Sequence, residues 1–373
     1  MQAHPTPFMQ YAYLHALEAA GCVGGQTGWE TAWLSLRTEG PQGVRLRAAC
    51  ALYLKSHSYG EYVFDWSWAR AWQRQGLDYY PKALVAVPFT PVPGSRLLAE
   101  DEHWRDRLVR ALEAFTHQAG LSSAHVLFID DTDRSAFERA GWTIREGVQF
   151  HWQQDPFAPM ADFGQLLQRM QRDKRKKILQ ERRRVAEAGV RFSVHEGAAI
   201  DAQLWDFFHH CYTLTYRAHH STPYLTRGFF RRMAQTMATN WVLFVAHRQG
   251  QPIASSLIAV DPARHAAWGR YWGATQQIPC LHFEACYYQP LQWCLEQGYT
   301  RFEGGAQGQH KMARGLLPVK TSSAHRVSDP RFADAVAHAL AIEREDVAGY
   351  VDELSEHSPF REEWATRSAS ARG

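Results

Sequence analysis

The sequence predicts an α/β protein of two consecutive domains, and three observations carry that expectation. A chain of 373 residues exceeds what one hydrophobic core usually organises. Stretches with a two-residue apolar period alternate with stretches of helical period along the whole chain. Pro156 and Pro159 punctuate its middle. The expected domains are 1–157 and 158–350, with 351–373 as a C-terminal tail. With 45% hydrophobic and 21% charged residues the composition is that of a packed globular protein. Disorder is expected only at the ends, chiefly over Ala365–Gly373.

In the first half, Phe8, Tyr11, Leu14 and Leu17 form one helical face that stops at Gly21. Alternation from Leu46 to Leu54 predicts a strand over 45–54. Residues 55–72, rich in Tyr and Trp, form either a cleft-lining loop with a short helix or an aromatic part of the core. A strand over 82–89, a helix over 102–119, a strand over 124–129, a helix near 135–140 and a strand over 147–152 follow.

The second half opens with an expected helix over 160–188, where Phe163, Leu167, Met170, Ile178 and Val185 keep helical spacing. Helices are expected over 202–216 and within 224–237. Strands 241–246 and 253–260 flank a hairpin turn at His247–Gly250. A strand over 266–272, a helical segment ending at Gly298 and a short strand over 301–303 lead to a glycine-rich loop. Pro290 cannot lie undisturbed inside that helical segment, so a kink or restart is expected there. Both halves read as hairpin strands followed by strand–helix–strand, which suggests a duplicated architecture.

Several classes drop out. The six cysteines form no CxxC pair and sit in apolar surroundings, so neither a zinc site nor a disulfide framework is expected. Residues 1–10 lack a basic start followed by an apolar core, and no eighteen-residue apolar run occurs, so a cytoplasmic protein without a transmembrane segment is expected. GxxxxGK[ST], GxGxxG and GxSxG are absent. Nothing shows helix-turn-helix or zinc-finger spacing, so DNA is not an expected partner. Oligomerisation stays open.

Two features invite chemistry. Eight basic residues lie between Arg172 and Arg184 against Asp173 and Glu181. Such a helix is either a solvated face or a handle for a polyanion: a nucleotide, a coenzyme phosphate, a tRNA backbone or an acidic head group. Lys174, Arg175 and Lys177 are its candidate anion contacts. The other feature runs from Gly269 to Lys320 and mixes aromatic, glycine and polar residues. Arg270, Tyr271, Gln307, Lys311 and Arg314 are candidate substrate- or anion-binding residues, because guanidinium and ammonium groups hold phosphate and carboxylate. Glu284 and His310 are candidate proton carriers and Tyr288 a candidate donor. Tyr287 and Tyr288 point in different directions, so at most one serves a cleft. Neither a metal site nor a tightly bound cofactor is expected.

The motifs LYLKSHSYGEYVFDW (Leu52–Trp66), YYPKALVAVPFTPVPGSRLL (Tyr79–Leu98), RDKRKKILQERRR (Arg172–Arg184), PYLTRGFF (Pro223–Phe230), GRYWG (Gly269–Gly273), LHFEACYY (Leu281–Tyr288) and GGAQGQHKMARGLLPV (Gly304–Val319) occur in this order. Together they resemble the FemAB-like branch of the acyl-CoA N-acyltransferase superfamily. The resemblance implies two tandem GNAT-like α/β domains with mixed sheets flanked by helices. It also implies transfer of an acyl or aminoacyl group to an amine, the acceptor being a small molecule or peptide such as a cell-wall precursor. A coenzyme A thioester or an aminoacyl-tRNA would be the donor, which makes tRNA an expected partner. A non-catalytic binding protein on the same fold is the rival reading. The family stretch GAQGxHK commonly has Glu before the histidine; here that residue is Gln309, which excludes a carboxylate base at this position.

Overall fold

A computed structural model describes residues 6–305, 308–361 and 363–364 of the chain. It divides into two compact units: unit 1 comprises Met1–Val148 and Lys320–Tyr350, and unit 2 comprises Gln149–Val319 and Val351–Gly373. In chain order the elements of unit 1 are α1 (Tyr11–Ala19), β1 (Trp29–Gly40), β2 (Gly43–Lys55), α2 (Trp66–Arg74), β3 (Lys82–Val85), β4 (Leu98–Ala99), α3 (Glu102–Gln118), β5 (Ser123–Ile129) and α4 (Asp131–Arg139). Strand β6 (Thr143–Gln153) runs from unit 1 into unit 2. There follow α5 (Phe163–Arg169), α6 (Arg172–Glu187), β7 (Val190–Glu196), α7 (Ala202–Ala218), α8 (Arg227–Thr236), β8 (Trp241–Arg248), β9 (Gln251–Asp261) and β10 (Ala266–Ala274). Next come α9 (Leu281–Phe283), a π-helical segment Glu284–Tyr288, α10 (Gln289–Glu296) and β11 (Arg301–Glu303). Strand β12 (Leu317–Val327) returns to unit 1, and α11 (Pro330–Glu356) closes the chain.

In unit 1 the strands lie in the order β1-β2-β3-β5-β12, with β4 beside β2. The β3–β5 pair is parallel, and its neighbours are antiparallel. In unit 2 the order is β6-β11-β10-β9-β8-β7, again with one parallel pair, β10–β11, among antiparallel neighbours. Each parallel pair is joined by a helical crossover, α3 in unit 1 and α9–α10 in unit 2, because parallel neighbours need a long connection. Mixed sheets flanked by helices in two α/β units are the predicted class. Asp101, Asp130, Asp162, Asp201 and Thr226 cap α3, α4, α5, α7 and α8, each side chain accepting from a first-turn N–H.

The structure corrects several expectations. The helix expected over 160–188 is two helices, because residues 169–171 commit their backbone elsewhere. Met170 bridges Phe360, Gln171 N donates to Pro359 O at 2.8 Å, and Arg361 N donates to Arg169 O at 2.9 Å. The same bonds tie residues beyond 351 into unit 2, with Leu354 and Phe360 buried. The division therefore differs from 1–157, 158–350 and 351–373: residues 320–350 pack with unit 1. The expected frayed stretch Ala365–Gly373 lies outside the described residues. Strands β1, β7 and β12 and helix α11 were not expected. Residues 55–72 combine both readings offered for them, a loop and α2, with Trp68 and Trp72 buried against Tyr79, Val336 and Leu340.

Candidate active site

The site in unit 2 is built where β10 leaves its parallel neighbour. Only Ala266–Trp268 of β10 pair with β11, and the β9–β10 register shifts between Gly269 and Tyr271. A bulge at that point bends the strand and re-aims its side chains. Gly273 lets the strand approach α7 closely: a Cβ there would lie 1.9 Å from the Cys211 carbonyl oxygen. Beyond β10, a groove of about 800 Å³ is lined by Thr215, His219, Trp272, Gln276, Ile278 and His282, among others.

The helix that follows widens before Pro290. Without an N–H, Pro290 cannot bond the carbonyl four residues back, and Gln289 N instead reaches the Glu284 carbonyl, five residues back. Such π turns recur at functional sites. This one sends consecutive tyrosines to different partners. The Tyr287 hydroxyl lies 3.3 Å from His310 Nε2, while Tyr288 donates to Glu181.

Tyr288 thus belongs to a buried network. Arg314 donates to both carboxylate oxygens of Glu181, at 3.0 and 2.9 Å, and to the His310 carbonyl at 2.6 Å, with its guanidinium 3.4 Å over the Phe283 ring. The next residue on α6, Arg182, donates to Glu284 Oε1 at 3.1 Å and to Gln292 Oε1 at 2.9 Å. Gln289 adds a second donor to Glu284 Oε1, at 2.7 Å. Glu284 Oε2 is buried and receives no hydrogen bond among the described residues. The basic helix therefore inserts Ile178, Glu181 and Val185 into unit 2 and fastens the π segment through Arg182.

Exposed His310 and buried Lys311 are neighbours in the 3-10 turn Gln309–Arg314 that follows the Gly304–Gly305 bend. His310 is exposed, its ring 5.8 Å from Phe283 and 5.9 Å from Tyr287. Partial burial and the charges of Arg314 and Lys311 hold its imidazole below the ordinary value, so it is neutral at pH 7. Lys311 is buried, donates to the Gly305 carbonyl at 3.0 Å, and is pushed down to about 8 by desolvation. Tyr287 meets His282 (5.6 Å), which meets Trp272 (5.1 Å), so a line of rings leads from His310 to the groove wall. Burial drives His282 down to about 4.

Among the predicted residues, Glu284, Tyr288, His310, Lys311 and Arg314 come together around the π segment and the 309–314 turn. Arg270 and Tyr271 stack on each other at 4.8 Å, and Tyr271 packs on Tyr212 and Phe230, the sheet face covered by α7 and α8. Lys174 and Arg175 are half-buried and Lys177 exposed on α6; Lys174 pairs with Asp173 at 3.3 Å. Gln307 lies outside the described residues. Gln309 is exposed beside His310. Sequence reasoning missed Glu181, one of two acids in a basic run, and His151, which lies 3.7 Å from the buried carboxylate of Glu303. It singled out neither His282 nor Tyr287 as a site residue, since ring contacts across a π turn leave no spacing signature. Among the described residues no group of three or more His, Cys, Asp or Glu could hold a metal, and no helix is long and apolar enough to cross a membrane.

Solved structures of other proteins share the fold. L-PGS of Bacillus licheniformis is 13% identical with a TM-score of 0.52, over 91% of this chain and 98% of that one. FemX is 11% identical with a TM-score of 0.51, over 89% and 94%. At these identities the likeness is one of fold. No curated protein sequence matches the chain. A family model described as peptidoglycan biosynthesis/recognition matches residues 1–362, and on that span the chain belongs to the FemAB-like family.

Proposed function

We propose that unit 2 transfers an acyl or aminoacyl group to an amine, with a cell-wall precursor or an amino-acid-like small molecule as acceptor. The carrying observation is the exposed, neutral imidazole of His310, held by Tyr287 beside buried Lys311 and joined by aromatic rings to the groove at the end of β10. Family membership and the fold shared with FemX support the same reading.

In this reading the acceptor ammonium gives a proton to His310 Nε2, with the unbonded Glu284 Oε2 as the second candidate acceptor. The freed amine attacks the donor carbonyl; as the ester or thioester bond breaks, the departing alkoxide or thiolate takes up the proton that the attacking nitrogen loses on becoming an amide, and His310 releases its own proton to water. Lys311 lies on the Gly304–Gly305 bend, where an ammonium N–H would stabilise the developing oxyanion. Tyr288 and Arg314 act as positioning residues through Glu181. The donor is an aminoacyl-tRNA or a coenzyme A thioester; Lys174, Arg175 and Lys177 on α6 provide cationic contacts for its phosphates. The reaction is placed in the cytoplasm, where both donors occur.

The test is mass spectrometry of an amine-bearing peptidoglycan stem peptide incubated with the full chain and either a mixed aminoacyl-tRNA pool or acetyl-CoA. A mass gain of one aminoacyl or acetyl unit is expected, and His310→Gln should lower its rate by about 10²–10⁴. Phe157→Ala, at a residue 90% exposed, should leave it unchanged. No gain with either donor, or a His310→Gln variant as fast as the unaltered chain, would refute the assignment.

A further inference from the structure

Strand β2 ends and β3 begins with lysines that stand directly opposite each other, Lys55 against Lys82, and both are fully buried. Like charges facing each other on a sheet destabilise it, the more so without water. Lys82 is compensated. Its ammonium donates to Ser58 Oγ at 2.9 Å and Glu61 Oε2 at 2.8 Å, and it pairs with Asp65. Lys55 pairs with no carboxylate among the described residues. Its Nζ sits 3.8 Å over the Trp29 ring, with His57 Nδ1 at 3.3 Å and the Tyr59 carbonyl at 3.4 Å. Burial pushes Lys55 down to about 7.

The acids are incomplete in the complementary sense. Glu61 and Asp65 are 4% and 3% exposed, yet Glu61 Oε1 and Asp65 Oδ1 receive no hydrogen bond among the described residues. Tyr79 donates to Asp65 Oδ2 at 2.6 Å, so that carboxylate is held from its other oxygen. Burial lifts Glu61 to about 7 despite Lys82 beside it. A buried carboxylate oxygen without a donor is costly, and each such atom in a native protein calls for a partner. One cluster thus contains a cation wanting an anion and two oxygens wanting donors. The loop over it, residues 56–65, turns through left-handed backbone at Gly60 and Tyr62 and exposes Tyr59 and Phe64.

We propose that this cluster in unit 1 is a binding site for a small zwitterion of the α-amino-acid type, its ammonium held by Glu61 Oε1 and Asp65 Oδ1 and its carboxylate by Lys55. No single-charge ligand completes both halves. The site is independent of the His310 chemistry and stands or falls without it.

Isothermal titration of the full chain with glycine, L-alanine, L-serine and L-lysine tests the assignment, with propionate and ethylamine as compounds carrying one of the two charges. At least one amino acid should bind, and propionate and ethylamine should bind at least about tenfold more weakly, each lacking a charge-assisted partner. Glu61→Gln and Lys55→Met should each weaken the amino acid about tenfold or more while circular dichroism shows a folded chain, and His310→Gln should leave binding intact. Binding by none of the four amino acids, equal binding by propionate or ethylamine, or unchanged binding in the folded variants would overturn the proposal. If either variant fails to fold, the comparison of ligands on the unaltered chain decides.

Discussion

Arg314→Met tests whether the Glu181–Arg314 pair holds the candidate site together. Both side chains are buried, 6% and 3% exposed, and share two hydrogen bonds of 3.0 and 2.9 Å. Removing the guanidinium strands the Glu181 carboxylate with Tyr288 as its remaining donor among the described residues, and frees the His310 carbonyl. Breaking a buried pair from one side costs about 3–5 kcal/mol. For a chain of this size unfolding as one, that is a fall in Tm of roughly 4–6 °C. Replacing both partners, Glu181→Met with Arg314→Met, leaves no unpaired charge and should recover most of the loss, to within about 2 kcal/mol of the unaltered protein. Urea denaturation of the four proteins measures the cycle, and amide exchange of residues 309–316 reports whether the His310 turn loosens in the single variant. A single variant within about 1 kcal/mol of the parent, or a double variant no better than Arg314→Met, would refute the reasoning.

Lys311 predicts a pH dependence of stability. Its folded-state value is near 8 and its unfolded value near 10.5, so between those limits the unfolded chain binds the extra proton and stability rises with pH, by up to ~1.4 kcal/mol per unit. Lys311→Met should remove that part of the slope in denaturation midpoints measured from pH 7 to 10.5; an unchanged slope would place the amine outside this range. Gly273→Ala should lose about 3 kcal/mol or more in urea unfolding, because the new methyl meets the Cys211 backbone at 1.9 Å, whereas Gly40→Ala, facing open space, should stay within about 0.5 kcal/mol. If α6 carries the donor's phosphates, replacing Lys174, Arg175 and Lys177 by Gln should flatten the salt dependence of tRNA binding by up to about 2 in slope. An unaltered slope in filter binding would remove these residues from the interface.

Local pattern made much of the fold legible. Alternation marked β2, and β5, β8, β9 and β10 stood out as short apolar stretches because both faces of much of each are buried, while the periods of α1, α3 and α7 follow from their apolar stripes. β12 was hidden because the strand buries Thr321, Ser322, Ser323 and His325, polar residues that no hydrophobic count detects. β1 showed its period in Ala32, Leu34 and Leu36, but Trp33 on the opposite face blurred it. The break at Met170 could not be read, since Phe360, nearly two hundred residues later, supplies the backbone partner that ends the helix.

By itself the sequence determined the α/β class, the two-part organisation, and the concentration of Glu284, Tyr288, His310, Lys311 and Arg314 within one stretch of chain. Tertiary structure alone decided that Tyr287 reaches His310 while Tyr288 reaches Glu181, that one acid of the basic helix is a buried anchor, and that Lys55 and Lys82 face each other in unit 1. The reason is physical: apolar periodicity is written in neighbouring residues, whereas the partner of a buried charge is chosen by whichever distant segment packs against it.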